Sequence, residues 1–217
     1  MTTCFFIIVL LNFDAVKPCQ LSQLKTFIDQ LPTAITEERQ RALQPLLDYI
    51  KLNTSAGRKS KINFICTHNS RRSQLAQVWM QAIALTYRVD VLCFSGGVEV
   101  TSCAPQTIDV LKNCGFIIRQ FNGHSNPNYQ VQNDGLELTL FSKLFNDAVN
   151  PKANFAAVMT CGHAEANCPF VPGCDARFAV TYEDPKQFDG DPEEQRQYQR
   201  TSDQIAAEMK WVISRIS

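Results

Sequence analysis

The stretch from residue 61 to residue 74 constrains the fold more than any other part of the chain. Residues 61–65 (KINFI) carry the β-branched and aromatic bias of a short buried strand. Apolar residues at helical spacing follow, and Ser70 is the predicted N-cap of that helix. Cys66 therefore lies at the end of a strand, in a short loop that leads directly into a helix.

This loop has the composition of an anion-binding site. Backbone N–H groups in a loop before a helix point inward, and the helix dipole adds to their field. The same field stabilises a thiolate, so we predict that Cys66 is a nucleophile. Arg72 offers a planar guanidinium to two oxygens of a phosphate-like group, Ser73 is placed to donate to the sulfur, and Asn69 tolerates a left-handed backbone. Because Cys-x5-Arg alone is a weak signal, a buried cysteine before an exposed basic pair is the alternative.

The motif Cys66-Thr67-x-Asn69-Ser70-x-Arg72-Ser73-Gln74 resembles the phosphate-binding loop of the low-molecular-weight protein tyrosine phosphatase superfamily. It is most similar to the loop of the thioredoxin-coupled arsenate reductases. The resemblance implies that Cys66 is the nucleophile, that Arg72 clamps the oxyanion and that Asn69 and Ser73 stabilise loop and thiolate. Two positions of the oxyanion loop depart from the family pattern. His68 stands where glycine is common, and Arg71 where a small residue or a second cysteine is common.

A second pair of cysteines follows another strand-like run, residues 156–160. Cys161 lies at the end of that run, as Cys66 does at the end of the first. Because the carboxyl ends of parallel strands line one crevice, we expect Cys161 to approach Cys66. Cys168 lies seven residues further on, roughly 10 Å along a regular helix. A disulfide needs Cα atoms within about 7 Å, so a Cys161–Cys168 bond requires this segment to unwind.

The resemblance also implies a reaction for these cysteines, because the family carries a similar Cys-x-x-Ala-Glu-x-x-Cys-Pro stretch. Cys66 would attack arsenate, Cys161 would attack Cys66 and release arsenite, and Cys168 would attack Cys161. A thioredoxin-type partner would then reduce the Cys161–Cys168 disulfide. Two alternatives stay open: passive thiols, and a zinc site that uses Cys161, His163 and Cys168. The cysteines predicted only to pack or to stay free are Cys93, Cys103, Cys114 and Cys174.

An Asp-Pro pair after the strand-like residues 177–180 supplies the candidate general acid. The resembled family has an Asp-Pro here, and the matching residue is Asp184, with Glu183 as the fallback. A poor leaving group such as hydroxide needs a proton, and a positioned acid is worth roughly 10²–10⁴ in rate. The alternative is an ordinary Asp-Pro turn.

Composition excludes some classes of function. The chain has 217 residues, with 21 Lys plus Arg and 21 Asp plus Glu. This balance argues against nucleic-acid partners and against a membrane-surface role. Nine cysteines without a regular framework favour a reducing cytoplasm, and we predict no cofactor and no resident metal. The apolar run at residues 4–11 is interpreted as a segment docked on the body, or as residues from an upstream start, rather than as a targeting signal.

Strands that alternate with helices predict an α/β fold with a parallel sheet covered on both faces. We expect a flavodoxin-like three-layer sandwich with a four-stranded parallel sheet. An N-terminal helical hairpin at residues 19–53 precedes it, and a central insertion at residues 121–154 interrupts it with a β-hairpin around Asn133-Asp134-Gly135. The predicted division is an extension at 1–60 and a catalytic domain at 61–217.

Three functions are compatible with these residues. The leading one is a thiol-dependent arsenate reductase that uses the three-cysteine relay. The second is a phosphatase that hydrolyses phosphotyrosine or a small phosphate ester through a phosphocysteine at Cys66. The third, from another class, is a non-catalytic oxyanion-sensing module.

Overall fold

A four-stranded parallel sheet forms the centre of the molecule. The computed structural model describes residues 19–122, 125–133, 135–167 and 170–216. The helices are α1 (Cys19–Gln30), α2 (Glu37–Ser55), α3 (Arg72–Tyr87), α4 (Pro105–Asn113), α5 (Gly162–Asn167) and α6 (Glu194–Ile213). The strands are β1 (Ser60–Cys66), β2 (Val91–Gly97), β3 (Ile117–Asn122), β4 (Asn128–Asn133), β5 (Leu136–Leu140), β6 (Phe155–Met159) and β7 (Cys174–Ala179).

The order of strands in the central sheet is β2-β1-β6-β7, and all neighbours are parallel. In chain order these are the second, first, third and fourth strands of the sheet, which is the flavodoxin-like arrangement. The predicted fold class is therefore confirmed. Since parallel strands all run the same way, the ends of β1 and β6 meet at one edge, and Cys66 and the residues after Met159 lie there.

Both faces of the sheet are covered, as a parallel sheet requires. Ile62 and Phe64 of β1 point into a large core shared with helices on one face. Ile65 of β1 points the other way and packs with Met159 of β6 and Ala164 of α5. This alternation along one strand produces the three layers.

The two predicted N-terminal helices are present, and each packs on the body of the protein. Thr36 caps α2 by accepting a hydrogen bond from the Arg39 amide at 3.4 Å. On α1, the Phe27 ring stacks on Trp79 of α3 with ring centroids 5.3 Å apart. The buried apolar residues of both helices belong to the same core as the sheet: Leu24, Ile28, Leu43, Leu46, Leu47 and Ile50. A domain division at residue 60 stays a prediction.

The central insertion is a three-stranded antiparallel sheet in the order β3-β4-β5. The predicted hairpin corresponds to β4 and β5, although Asp134 at its turn lies outside the described residues. Sequence reasoning missed β3, which begins at residue 117 and so precedes the expected start at 121. Its side chains are half-buried or exposed and show no inward–outward alternation, so the pattern carried no strand signal.

Ser70 is not the N-cap of α3, contrary to the sequence prediction. The helix begins at Arg72, and Arg71 occupies the cap position without a side-chain capping bond. The Ser70 carbonyl instead accepts hydrogen bonds from the Ala104 amide at 3.0 Å and the Thr107 hydroxyl at 3.2 Å. Ser70 therefore belongs to the loop and ties it to the start of α4.

The apolar run at residues 4–11 lies outside the described residues, so its interpretation stays a prediction. Across the part of the chain that the structure describes, no helix combines the length and apolar character that crossing a membrane requires.

Substitution of Gly96 tests the close packing at the end of β2. A Cβ at this position would lie 2.2 Å from the Cα of Phe145, and backbone cannot move aside as a flexible side chain can. We expect Gly96→Ala to lower the free energy of unfolding by about 2–3 kcal/mol, the upper range for overpacking. Denaturant titration measures this. Gly162→Ala, where a Cβ meets nothing within 4 Å, is the control and should change stability far less.

Candidate active site

The loop after β1 surrounds the Cys66 sulfur with hydrogen-bond donors. The Asn69 amide donates to Cys66 Sγ at 3.2 Å, and Ser73 Oγ lies 3.1 Å from the same sulfur. Ser73 Oγ also accepts a hydrogen bond from Asn69 Nδ2 at 2.9 Å. Because that bond occupies the serine as an acceptor, its own proton is free to point at the sulfur. The Asn69 amide and the Ser73 hydroxyl therefore both lie where they can donate to the sulfur of a Cys66 nucleophile.

Asn69 holds the shape of the loop. Its φ is +47°, in the left-handed region that asparagine tolerates better than most residues, and its side chain is fully buried. Its Oδ1 accepts from the Lys143 amide at 3.1 Å, and its carbonyl accepts from Gln74 Nε2 at 2.9 Å. His68, where the family often has glycine, is not among the positive-φ residues, so its backbone does not require glycine.

The segment at residues 141–145 supports the loop from behind, and sequence reasoning missed it. Ser142 Oγ donates to the His68 carbonyl at 2.7 Å, next to the Lys143 bond to Asn69. Gly97, at the end of β2, exchanges backbone hydrogen bonds at 2.8 Å with Lys143 and Phe145. No motif marks this segment in the sequence, because it acts mainly through its backbone.

Two arginines hold the carboxylate of Asp184. Arg71 Nε donates to Oδ1 at 3.0 Å, and Arg72 Nη2 donates to Oδ2 at 2.6 Å. Arg72 Nη1 donates to the Tyr182 carbonyl at 3.0 Å, while its buried Nε has no hydrogen-bond partner among the described residues. A buried guanidinium N–H without a partner is costly unless a ligand satisfies it. Arg71, the departure from the family pattern, is thus a second cation on the candidate acid Asp184, while the fallback candidate Glu183 is exposed.

Cys161 lies beside the oxyanion loop. Its sulfur is 3.4 Å from the hydroxyl of Thr67, the residue that follows Cys66, and it accepts a hydrogen bond from the Ala164 amide at 3.3 Å. Cys161 is only 1 % exposed and shares a hydrophobic cluster with Cys66. The structure therefore brings the first two predicted relay cysteines to the same edge of the sheet.

Cys168 lies outside the described residues, so the third relay position and the zinc alternative both stay predictions. Among the residues that are described, no group of three or more His, Cys, Asp or Glu side chains is arranged to hold a metal ion. His163 is exposed, and its Nδ1 lies 3.3 Å from Asn167 Nδ2.

Burial separates the remaining thiols from this chemistry. It raises the pKa of Cys103 to about 12 and that of Cys114 to about 11, and it raises the pKa of Cys93 further. These thiols are protonated at neutral pH and are poor nucleophiles. Burial also raises the pKa of the half-buried Cys174.

Lys143 is a buried cation behind the oxyanion loop. It is 3 % exposed, and its Nζ lies 4.6 Å from the centroid of the Phe141 ring. Burial lowers the pKa of Lys143 to about 8, because the charged ammonium loses its hydration.

Comparison with known proteins agrees with the fold and the loop, although no family model matches the chain. An arsenate reductase of Staphylococcus aureus (strain Newman) is 29 % identical over 147 residues, which cover 68 % of this chain and 91 % of the relative. That of S. aureus strain bovine RF122 / ET3-1 is 30 % identical over 114 residues, 52 % of this chain and 70 % of the relative. The crystal structure of a low-molecular-weight protein tyrosine phosphatase from T. tengcongensis superposes with a TM-score of 0.50 at 17 % identity, covering 72 % of this chain and 99 % of that one.

The fold and these relatives thus define the class of protein as an enzyme. The chain belongs to the low-molecular-weight protein tyrosine phosphatase superfamily, and within it is close to the arsenate reductases.

Gly97 tests how tightly β2 approaches the oxyanion loop. A Cβ on this residue would lie 2.7 Å from the Thr67 carbonyl oxygen and 2.8 Å from the Asn69 amide nitrogen, which binds the Cys66 sulfur. Since a misplacement of about 1 Å can cost about 10² in rate, we expect Gly97→Ala to weaken phosphate binding at least tenfold. Isothermal titration with inorganic phosphate measures this. Val100→Ala, at an exposed site in the same connection, should bind as the wild type does, and equal binding by both variants contradicts the prediction.

Lys143 makes stability depend on pH. Its pKa is about 8 in the folded protein and 10.5 in a free side chain, so between these values the unfolded chain binds more protons. The free energy of unfolding should therefore rise with pH from about 8 to 10.5, by about 3 kcal/mol at 1.36 kcal/mol per pKa unit. Other groups titrate in this range, so the measurement is the difference between wild type and Lys143→Met. The difference in the free energy of unfolding between wild type and Lys143→Met should change with pH. For the control Lys112→Met, at an exposed position, the difference from wild type should stay constant.

Proposed function

We propose that this protein is an arsenate reductase in which a Cys66 thiolate attacks arsenate. Cys161 then forms a disulfide with Cys66, and Cys168 exchanges it for a Cys161–Cys168 disulfide. The observation that supports it best is the position of Cys161, whose sulfur lies 3.4 Å from the Thr67 hydroxyl at the edge of the loop. A phosphatase resolves its intermediate with water and has no use for a second sulfur there. The reductase assigns a role to both cysteines.

In the first step the Cys66 thiolate attacks arsenic and a hydroxyl group leaves as water. The loop amides and Arg72 bind the remaining oxygens, with the unpartnered Nε of Arg72 as one donor. Asp184 gives the leaving oxygen its proton. In the structure the carboxylate of Asp184 only accepts hydrogen bonds, so its proton must arrive with the protonated arsenate.

In the second step the Cys161 thiolate attacks the Cys66 sulfur. The sulfur–arsenic bond breaks, its electron pair reduces arsenic, arsenite leaves, and a Cys66–Cys161 disulfide forms. The Cys168 thiolate then attacks Cys161 and frees Cys66. A thioredoxin-type dithiol reduces the Cys161–Cys168 disulfide and is itself oxidised.

The helix between Cys161 and Cys168 suits the rearrangement that this relay needs. α5 has six residues, and Ala164 is its single buried residue within the described range. Little apolar surface therefore opposes its unwinding, and segments of this kind open at low free-energy cost. An ion pair between Arg177 and Glu165, at 2.8 Å, is the side-chain tie that the opening must break or carry along.

A phosphatase is the second candidate, because Cys66, Arg72 and Asp184 form a complete site for phosphate-ester hydrolysis. The cleft next to the loop argues against an aromatic ester. The described residues that line it are polar, charged or small, and none is Phe, Tyr or Trp: His68, Ser70, Arg71, Thr101, Ser102, Ala104, Pro105, Gln106, Lys186 and Asp189. Such a rim favours a small hydrophilic oxyanion over phosphotyrosine. The contact between Asp184 and both arginines argues against a sensor without catalysis.

Serine variants separate the three functions. With arsenate, thioredoxin, thioredoxin reductase and NADPH, we expect the wild type to oxidise NADPH continuously and both Cys161→Ser and Cys168→Ser to lose this turnover. In single-turnover assays without thioredoxin, Cys168→Ser should still release one arsenite per protein, because its first two thiols suffice. Cys161→Ser should release none.

The controls are Cys174→Ser and hydrolysis of a phosphate ester. Cys174→Ser removes a thiol outside the relay and should leave reduction unchanged. Ester hydrolysis by all variants without any arsenate reduction in the wild type would make the protein a phosphatase. Phosphate binding with neither activity would make it a sensor.

A further inference from the structure

Arg39, in the first turn of α2, connects the N-terminal extension to the segment that carries the candidate acid. Its Nη1 donates to the Thr181 carbonyl at 3.1 Å, and its guanidinium carbon lies 4.9 Å from the centroid of the Tyr182 ring. The two partners are three and two residues before Asp184. A residue from outside the predicted catalytic domain thus binds the residues that directly precede the candidate acid.

Glu208 of α6 fixes the orientation of Arg39. Arg39 Nε and Nη2 donate to the two carboxylate oxygens of Glu208 at 2.8 Å and 2.7 Å, in the fork-to-fork geometry of a bidentate pair. Gln204 Nε2 donates to the same carboxylate at 3.1 Å, and Glu208 is 1 % exposed. A buried pair of this kind adds little net stability, and its best-supported use is to specify one arrangement.

Residues 181–184, which Arg39 contacts, position both the candidate acid Asp184 and the candidate oxyanion clamp Arg72. The Tyr182 carbonyl accepts from Arg72 Nη1 at 3.0 Å, and Asp184 accepts from Arg71 and Arg72. Arg39 therefore binds the Thr181 carbonyl, and Arg72 binds the carbonyl of the next residue, Tyr182. A shift of the Thr181–Tyr182 peptide would move the acid and the clamp together.

We infer that Arg39 is a positioning residue for the acid step: it keeps residues 181–184 in place so that Asp184 stays over the loop and Arg72 keeps its orientation. The reaction named in this inference rests on the proposed function. The contacts of Arg39 do not depend on it. Arg39 makes the N-terminal extension a working part of the active site.

The test compares Arg39→Met with Arg39→Lys in the steady-state reduction of arsenate. We expect Arg39→Met to lower kcat about tenfold or more and to change KM by less than about threefold. A positioned general acid raises the rate by roughly 10²–10⁴, and only part of this acceleration is lost when the acid is misplaced. Arg39→Lys should recover part of kcat, because an ammonium can still donate to Thr181. Arg41→Met, on the exposed side of the same helix, is the matched control.

A double-mutant cycle with Asp184→Asn separates positioning from general stability. If Arg39 acts largely through Asp184, Arg39→Met should lower kcat by less than about threefold in the Asp184→Asn background. Because Arg39→Met leaves the Glu208 charge buried, the pair Arg39→Met with Glu208→Gln is made as well, which removes both charges and keeps the volume. It should show the same loss of kcat in a folded protein.

The inference is overturned if Arg39→Met, alone or with Glu208→Gln, turns over like Arg41→Met, or if its effect multiplies fully with that of Asp184→Asn. Failure of the proposed function is a different result. A wild type that hydrolyses phosphate esters but never reduces arsenate rejects the reductase, and the same variants then test Arg39 by ester hydrolysis. A wild type with neither activity overturns both.

Discussion

The left-handed turn at Asn69 is the constraint on which the active-site loop depends. Its amide reaches the Cys66 sulfur, its side chain holds Ser73 and the backbone of Lys143, and its carbonyl is held by Gln74. These bonds connect the strand end, the start of α3 and the segment behind the loop through one buried residue. The loop is therefore held in shape by the protein's own hydrogen bonds, as electrostatic preorganisation requires.

The two arginines of the loop, Arg71 and Arg72, both bind Asp184, and Arg72 has further donors. Arg72 divides its donors among Asp184, the Tyr182 carbonyl and an unpartnered Nε that is available to a ligand. Arg71 provides a second hold on Asp184, so in the proposed reaction this candidate acid keeps a cationic partner when an anion engages Arg72. This division explains how the protein can carry an additional arginine in the loop without placing another charge against the sulfur.

The sequence predicted the position of the loop, because the strand and helix patterns around residues 61–74 are strong. It predicted the sheet and its flavodoxin-like order, because four strand-like runs alternate with helices and the loop follows the first of them. It also placed Cys161 at the same sheet edge, since parallel strands end together. It did not predict β3, whose half-buried and exposed side chains do not alternate, nor the role of residues 141–145, which act mainly through backbone groups. The Arg39–Glu208 pair was out of reach because its partners are 169 residues apart and belong to elements with no shared motif.

The segment at residues 141–145 belongs to two structures at once. It leaves the three-stranded insertion at Leu140 and, within the next few residues, supplies the bonds that support His68 and Asn69. The insertion and the loop are consequently connected through this segment. Altering the length or register of that small outer sheet would be transmitted to the anion cradle, so the insertion is a place where selection can tune oxyanion affinity without touching a loop residue.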